Sequence, residues 1–321
     1  MVQKGLLCER PFLHLSLHPS ESKGAIFMSR RRHHRFPLYY WLFLLPALFF
    51  FINVVIIPFL IGIVYSFSNW GGFEFAGSKF VGFRNYVNAF HDSQFLSSFL
   101  LTFQYAVIMV LSVNIIGFFL ALLVTRNIKS NTALRGIFFM PNLIGGLILG
   151  FIWQFIFSKL FVQIGENLHL SNIFFNWLTK PSTSFWSLII VSTWQMAGYM
   201  MIIYIAGLQS IPSDLIEAAE IDGAGPMKRL THITLPLMMP SFTISLFVTL
   251  SNAFKQYDTN LSLTNGGPYN TTQLVAMNIY LTAFKRNQYV LAQAKAMIFF
   301  LVIMVITLLQ VYLTSKREVE M

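Results

Sequence analysis

The chain has 321 residues, of which 55% are hydrophobic and only 11% are charged, and its formal net charge is +10. A soluble domain carries about 25% charged residues and a disordered chain has few hydrophobic ones, so both classes are excluded. The composition is typical of a protein with several membrane-spanning segments. The single cysteine, Cys8, excludes an intrachain disulfide bond and a zinc site built from cysteine pairs.

The first predicted element is a flexible, basic cytoplasmic tail over residues 1–38, which ends in the cluster Arg30–Arg35. Such a cluster is also found in nucleic-acid-binding arms. Beside a long apolar run, however, it is typical of the cytoplasmic side of a membrane protein. No nucleic-acid partner is therefore predicted. Met28 stands just before the cluster and is a candidate alternative start of the chain.

Six apolar runs follow the tail, each close to the length of about 20 residues that a helix needs to cross a membrane. They comprise residues 39–65, 99–125, 137–157, 185–208, 237–254 and 290–313. None shows the period-two alternation of barrel strands. The predicted fold class is an all-α integral membrane protein with a six-helix transmembrane bundle over residues 39–315.

The positions of the basic residues predict the topology. Most of the 22 Lys and Arg residues fall in the tail, in the loops 126–136 and 209–236, and at the C-terminus. Cytoplasmic segments carry such an excess, so both termini are predicted to lie in the cytoplasm. Lys255 and Lys295 fall near the ends of the fifth and sixth runs, where a long side chain can reach the membrane surface.

The most informative segment is the predicted cytoplasmic loop 209–236. Ser213 is a suitable N-cap for a short helix, and Gly223 suits the left-handed residue that ends one. Pro226 is expected to begin a second short helix, and Pro236 to open the fifth run. One face of the first helix is formed by Leu215, Ala218, Ala219 and Asp222. The pattern alone is compatible with a solvated connecting loop and with a helix that docks on another protein.

Several motifs, in order along the chain, resemble one protein family. They are Gly82-Phe83-Arg84-Asn85-Tyr86, Ala206–Pro212, Glu217-Ala218-Ala219 with Gly223, Leu235-Pro236, and Leu263–Pro268. The Glu-Ala-Ala run, with its glycine and its Leu-Pro pair, resembles the EAA loop of permeases in binding-protein-dependent ABC importers. The set as a whole resembles the sugar permeases of the maltose and lactose type, over residues 39–315.

The resemblance implies a type I importer permease fold in which the 209–236 loop carries a coupling helix. In this family the helix inserts into a groove of a separate ATPase subunit and transmits nucleotide-driven motion to the membrane helices. By resemblance, Glu217 pairs with a basic residue of the ATPase, and Gly223 makes the turn between two short helices. The implied coupling residues are Glu217, Ala218, Ala219, Asp222, Gly223, Leu235 and Pro236. The implied partners are a second homologous permease, two ATP-binding subunits, an extracytoplasmic solute-binding protein, a sugar and membrane lipid.

The chain carries no catalytic or nucleotide-binding motif. It lacks a Gly-x-x-x-x-Gly-Lys-Ser/Thr sequence and a His-Glu-x-x-His zinc motif. We therefore expect a non-catalytic subunit that binds no metal or cofactor itself. ATP and Mg²⁺ are expected on the partner ATPase.

The fourth and fifth runs are the richest in polar residues, which inside a membrane face either a wet cavity or another helix. A sugar needs hydrogen-bond partners for its hydroxyl groups and an aromatic face for its C–H side. In maltose-type permeases the sugar contacts come from the corresponding helices. The predicted substrate path consists of Tyr199, Ser192, Met196, Thr249, Asn252 and Ala253, with Tyr199 as the leading candidate. For each polar residue, a helix–helix hydrogen bond is the alternative role.

The predicted function is therefore the import of a carbohydrate, a disaccharide or oligosaccharide, by alternating access across a prokaryotic cell membrane. An ABC permease for glycerol phosphate or a polyamine is the first alternative, and Lys255 keeps an anionic solute open. A secondary transporter would carry carboxylates well inside its spans for ion coupling, and the runs contain none. A membrane-bound enzyme would need a convergent catalytic set, which the sequence lacks.

Overall fold

The computed structural model describes residues 38–72, 78–125 and 130–316. Residues 1–37, which make up nearly all of the predicted basic tail, lie outside the described part of the chain. The described chain divides into two units, one that ends at Asn53 and one that begins at Val54. In the described part of the first unit, nearly every side chain from Tyr40 onward is exposed.

The described residues form α-helices joined by short turns and by brief π-helical or 3₁₀ stretches, and their one β-feature is an isolated bridge between Ser68 and Phe80. The helices are α1 (Leu38–Phe51), α2 (Ile57–Ser66), α3 (Arg84–His91), α4 (Ser93–Thr125), α5 (Asn131–Phe139), α6 (Gly146–Phe155), α7 (Phe161–Asn167), α8 (Pro181–Gln209), α9 (Ser213–Ile221), α10 (Pro226–Arg229), α11 (Leu235–Leu237), α12 (Met239–Phe254), α13 (Val275–Tyr280) and α14 (Tyr289–Ser315). The predicted all-α class is confirmed.

Five helical stretches in the described chain are long and apolar enough to cross a membrane. They are Tyr40–Ser66, Ser93–Thr125, Gly146–Asn167, Pro181–Gln209 and Tyr289–Ser315. A sixth crossing is formed only if the bent pair Pro226–Leu237 and Met239–Phe254 is taken as one span. The protein is therefore a multi-pass membrane protein.

The third span differs from the predicted run 137–157. It begins at Gly146 and ends at Asn167, because Pro141 opens a 3₁₀ turn that separates it from α5. Proline has no N–H group to donate and its ring clashes with the carbonyl four residues earlier, and at Pro141 the helix that contains residues 137–139 ends. The apolar run thus covers the end of one helix and the beginning of another.

The fifth span also differs from its prediction, 237–254. Its straight part, α12, begins at Met239 and has 16 residues, and it lies at 67° to the helical segment that ends at Leu237. Pro236 therefore ends the loop instead of opening the span. The break falls at Met238 because Pro240 cannot donate a hydrogen bond to the carbonyl of Pro236.

The core of the second unit lies along α8, where 67% of the most apolar stretch is buried. Asn114 of α4 connects three helices there. Its Oδ1 atom accepts hydrogen bonds from Tyr204 Oη and Ser245 Oγ, both at 2.6 Å, and its Nδ2 group donates to Thr249 Oγ1 at 3.0 Å. Helices in a membrane gain little from burying apolar surface against each other, so polar contacts of this kind stabilise their packing.

Candidate functional site

A polar cavity of about 420 Å³ lies between the middle of α8 and the end of α12. Its lining consists of Met109, Asn142, Gly146, Gln195, Met196, Tyr199, Asn252, Lys255, Gln256, Tyr257, Asp258 and Thr259. The volume is within the range of about 300–1,000 Å³ that is usual for small-molecule sites. Amide, hydroxyl and charged groups dominate the lining, which is unusual for the interior of a membrane bundle.

Helix breaks create this cavity. The turn around Pro141 places Asn142 at the wall, and Gln195 Nε2 of α8 donates a hydrogen bond at 2.9 Å to the carbonyl of Ile144 next to the turn. On the other side, α6 packs closely against the π-helical stretch Asn260–Thr264 because Gly150 has no side chain. A Cβ atom at Gly150 would overlap the side chain of Ser262. The cavity is therefore bounded by segments in which the regular α-helix is interrupted.

Three of the predicted path residues line the cavity: Tyr199, Met196 and Asn252. Ser192 lies behind the wall, where its Oγ atom accepts hydrogen bonds from Tyr105 Oη at 2.7 Å and from Gln256 Nε2 at 3.3 Å. Its contact with the cavity is thus indirect, through Gln256.

The structure does not bring Thr249 or Ala253 to the cavity. Both are fully buried, and Thr249 accepts the hydrogen bond from Asn114 described above. The fifth span turns one face toward α4 and another toward the cavity, and these two residues lie on the first face. Thr249 therefore has the alternative role, a hydrogen bond between two helices.

Some lining residues were not among the predicted site residues, namely Asn142, Gln195, Gln256, Tyr257, Asp258 and Thr259. Gln195 and Gln256 carried a usable signal, since both are polar residues in or next to an apolar run. Asn142 follows Pro141, and a proline inside a membrane run marks freed backbone groups that need polar partners. Asp258 and Lys255 place one charge of each sign at the cavity, so the formal charge of its lining sums to zero.

The 209–236 loop forms two short helices, α9 and α10, as the sequence predicts. Gly223 ends α9 with a left-handed φ of 76°. The N–H of Gly223 donates to the carbonyl of Glu220 at 3.0 Å, and the N–H of Ala224 donates to that of Ala219 at 2.9 Å. This pair of bonds is the Schellman motif, which satisfies carbonyl groups at the end of a helix. The helix begins differently from its prediction: Ser213 is its first residue and Pro212 holds the cap position.

The surface of α9 and α10 carries exposed apolar side chains. Ile221 is 87% exposed and Met227 is 71% exposed, and α9 has no buried residue. Glu220 forms an ion pair with Arg229 that braces α9 against the end of α10. Glu217 is exposed and, among the described residues, makes no ion pair.

Two helices connect this loop to the polar cavity. Helix α8 ends at Gln209, directly before the loop, and Tyr199 lies ten residues earlier, about 15 Å along the axis. Helix α12 begins at Met239, directly after the loop, and Asn252 lies about 20 Å further along it. The loop and the cavity are therefore the two ends of the same pair of helices.

Comparisons with known proteins agree with these features. The profile of the family described as "Binding-protein-dependent transport system inner membrane component" matches residues 113–319. The chain is 50% identical over 284 residues to the probable starch degradation products transport system permease protein AmyD of Thermoanaerobacterium thermosulfurigenes, which covers 88% of this chain and 96% of that protein. It is 31% identical over 279 residues to the multiple sugar-binding transport system permease protein MsmF of Streptococcus mutans, covering 87% of this chain and 96% of that protein.

A solved structure shares the fold. A chain of a bacterial ABC transporter involved in the import of the acidic polysaccharide alginate matches with a TM-score of 0.77 at 22% identity, over 87% of this chain and 95% of that one. At this identity the match supports the architecture alone. The family profile covers well over half of the chain, and AmyD matches almost from end to end. The chain therefore belongs to the family of inner membrane components of binding-protein-dependent transport systems.

Proposed function

We propose that the chain is the permease subunit of an ATP-driven carbohydrate importer. The observation that carries the proposal is the pair of helices, α8 and α12, that join the polar cavity to an exposed loop of EAA type. Motion of the loop is transmitted along rigid helices to residues at the cavity. Hydrolysis of ATP on partner subunits moves the loop, and the cavity opens alternately to each side of the membrane.

A neutral, hydroxyl-rich solute suits the cavity best. The lining offers amide groups at Gln195 and Asn252 and the phenol ring of Tyr199, while Lys255 and Asp258 balance each other's charge. An anion would be repelled by the carboxylate of Asp258, and a polyamine would be repelled by the ammonium group of Lys255. The names of AmyD and MsmF refer to starch degradation products and to multiple sugars, and a starch-derived oligosaccharide is the first candidate substrate for this chain.

The coupling surface supports docking on an ATPase subunit. The coupling residues are Glu217, Ala218, Ala219, Asp222, Gly223, Leu235 and Pro236. Small side chains allow a groove to close around α9, and the free carboxylate of Glu217 can pair with a basic residue of that groove. Glu220 is already neutralised by Arg229 and is left with a structural role. ATP and Mg²⁺ are bound by the partner, and this chain contributes no catalytic group.

Further partners follow from the topology. The excess of basic residues at the termini and in the loop predicts that this side, with both chain ends, faces the cytoplasm of a prokaryotic cell. A solute-binding protein then delivers the sugar on the opposite side. Helix α1 is apolar and exposed on nearly all sides, so membrane lipid and a second, homologous permease cover it.

Transport by the reconstituted complex tests the proposal. The chain is co-expressed with its partner subunits and binding protein, and uptake of radiolabelled maltotriose into vesicles is measured together with ATP hydrolysis. Glu217→Lys is expected to abolish both uptake and sugar-stimulated hydrolysis while the chain still inserts in the membrane. Asp214→Lys is the matched control, because it reverses an exposed carboxylate of the same helix that is not among the coupling residues, and it should retain most of the uptake. Equal loss in both variants would refute the role assigned to Glu217.

The cavity has its own test. Tyr199→Ala is expected to lower uptake of maltotriose without lowering basal ATP hydrolysis, because the coupling loop is unchanged. The opposite result would be a wild-type complex that does not transport maltotriose but takes up glycerol phosphate, with Lys255→Gln abolishing that uptake. The carbohydrate assignment would then be wrong, and the substrate would be an anion.

A further inference from the structure

A second cavity of about 420 Å³ lies at the end of the bundle opposite the coupling loop. We call it the aromatic cavity. It is lined by twelve residues, which lie in or next to α2, α12, α13 and α14. Six of these twelve residues are aromatic, whereas aromatic residues make up 16% of the whole chain. The concentration of rings at one cavity requires an explanation beyond composition.

The rings form two groups across the cavity. Trp70 stacks on Tyr65, with ring centres 4.2 Å apart and planes at 18°, and it meets Tyr289 at 6.0 Å. Opposite, Tyr280 lies between Tyr257 at 5.1 Å and Phe284 at 4.9 Å. Rings held by such contacts present fixed, flat surfaces.

The space between the groups is kept open by alanines. Ala276 and Ala283 share one helix face with Tyr280, and Ala292 and Ala296 share the facing side of α14 with Tyr289. Larger side chains at these positions would fill the cavity. The cavity is therefore lined by aromatic rings and by the small methyl groups of alanines.

An unpaired hydrogen-bonding group points to the chemistry of the occupant. The indole Nε1 of Trp70 is buried and, among the described residues, has no hydrogen-bond partner. The amide of Gln293 lines the same cavity, with its side chain against Gly62. A buried donor without an acceptor is destabilising, because the hydrogen bond that it made to water is lost and not replaced. An occupant with hydroxyl groups would give the indole N–H an acceptor and could also bind the amide of Gln293, whereas a lipid acyl chain would leave the indole N–H unpaired.

The aromatic cavity adjoins the polar cavity of the substrate path. Tyr257 lines both, so one phenol ring forms the wall between them. The aromatic cavity is formed by the end of α2, the segments that follow α2 and α12, α13 with the turn after it, and the first turns of α14. In chain order these parts of the helices lie at the end away from the coupling loop. A solute that enters from that end reaches the rings before it reaches Tyr199.

We propose that the aromatic cavity is a separate carbohydrate subsite, which holds one pyranose unit of an entering oligosaccharide next to the polar cavity. The rings of Trp70 and Tyr280 contact the C–H faces of the sugar. The indole N–H of Trp70 and the amide of Gln293 bind its hydroxyl groups. The proposal rests on the proposed carbohydrate function. It adds a site that only a sugar long enough to extend beyond the polar cavity can occupy.

Uptake kinetics of the complete importer complex in vesicles test the subsite, with maltohexaose and maltose as probes. Trp70→Phe keeps an aromatic ring for stacking on Tyr65 and removes only the N–H donor. Gln293→Leu removes the amide at similar volume. Each is expected to raise the KM for maltohexaose about five-fold at unchanged kcat, because uniform binding is lost. The KM for maltose, which is too short to fill both cavities, is expected to change less than two-fold.

Trp186→Phe is the matched control, since Trp186 lies on an exposed face of α8 outside both cavities. Basal ATP hydrolysis of each complex verifies assembly, and Gln293→Leu serves if Trp70→Phe assembles poorly. The subsite would be overturned if both cavity variants had the wild-type KM for maltohexaose, or if Trp186→Phe raised this KM equally. Either result would leave the proposed function unchanged. A wild-type complex that transports neither sugar would overturn the carbohydrate function itself.

Discussion

The strongest stability prediction concerns an ion pair between α14 and the start of α4. Lys295 is fully buried, and its Nζ atom lies 2.7 Å from Asp92 Oδ2, 3.1 Å from Asn278 Oδ1 and 2.9 Å from Thr282 Oγ1. The other carboxylate oxygen of Asp92 accepts the backbone N–H groups of Gln94 and Phe95 at 2.9 and 3.2 Å. The pair thus joins the cap of α4 to α14.

The two single substitutions are expected to differ in size. Asp92→Asn leaves the ammonium group of Lys295 buried without its counter-charge, which destabilises by about 3–5 kcal/mol. Lys295→Met leaves a carboxylate that is 19% exposed and keeps two backbone N–H bonds. Its expected effect is therefore smaller, about 2 kcal/mol. The double substitution removes both charges and should be less destabilising than the sum of the two.

The assay is the free energy of unfolding in mixed micelles, measured by titration with a denaturing detergent, for the wild type and the three variants. A double-mutant cycle then isolates the pairwise energy. The cycle is expected to give a coupling of about 2 kcal/mol or more. Coupling near zero, or a larger effect for Lys295→Met than for Asp92→Asn, would refute the view that burial of the lysine dominates.

The remaining predictions concern pH, the core, the loop and the cavity wall. Asp92 precedes the membrane-spanning helix. Burial raises the pKa of its carboxyl group, but Lys295 and two backbone N–H groups lower it more, so the pKa lies below the usual 3.8. The stabilisation that the carboxylate provides is therefore present at neutral pH and is lost in acid. The stability difference between wild type and Asp92→Asn should therefore shrink as the pH falls from about 7 to about 3, and a constant difference would contradict the assignment. Asn114→Leu removes three side-chain hydrogen bonds from the core, including the one that the buried Tyr204 Oη donates, and should lower the free energy of unfolding by about 2–3 kcal/mol in the same titration. Gly223→Ala places a side chain at a φ of 76° and should destabilise the turn by about 1 kcal/mol, seen as reduced sugar-stimulated ATP hydrolysis with normal insertion. Gly150→Val should separate α6 from the stretch around Ser262 and reduce uptake, whereas an unchanged KM and kcat would show that this close approach is dispensable.

Local patterns along the chain were sufficient for the class of protein and for the two short helices of the 209–236 loop. An apolar run of about 20 residues has few alternatives to a membrane helix, because unpaired backbone groups are too unfavourable in lipid. The turn at Gly223 was predictable for a similar reason, since a left-handed helix end depends on one residue and its immediate neighbours. Both kinds of feature are decided within a few residues.

The ends of the third and fifth spans were less accessible to this reasoning. Hydrophobicity does not distinguish a helix that continues past a proline from one that breaks there, and the two cases occur at Pro46 and Pro141. Pro46 lies inside α1, while Pro141 opens a turn. Beside the second break, the side-chain amide of Gln195 donates a hydrogen bond to the carbonyl of Ile144, a contact between distant residues that hydrophobicity along the chain does not reveal.

The face of each helix that meets the cavity was decided by the tertiary structure alone. Thr249 and Asn252 are three residues apart on α12, yet one bonds to Asn114 in the core and the other lines the cavity. Lys295 was expected to extend to the membrane surface, but its partner, Asp92, lies 203 residues away in the sequence and holds it in the core. The sequence by itself determined the composition of each helix and the turns between them. Rotation of the helices about their axes, and hence which polar groups meet, depends on contacts between distant segments, which only packing of the whole bundle establishes.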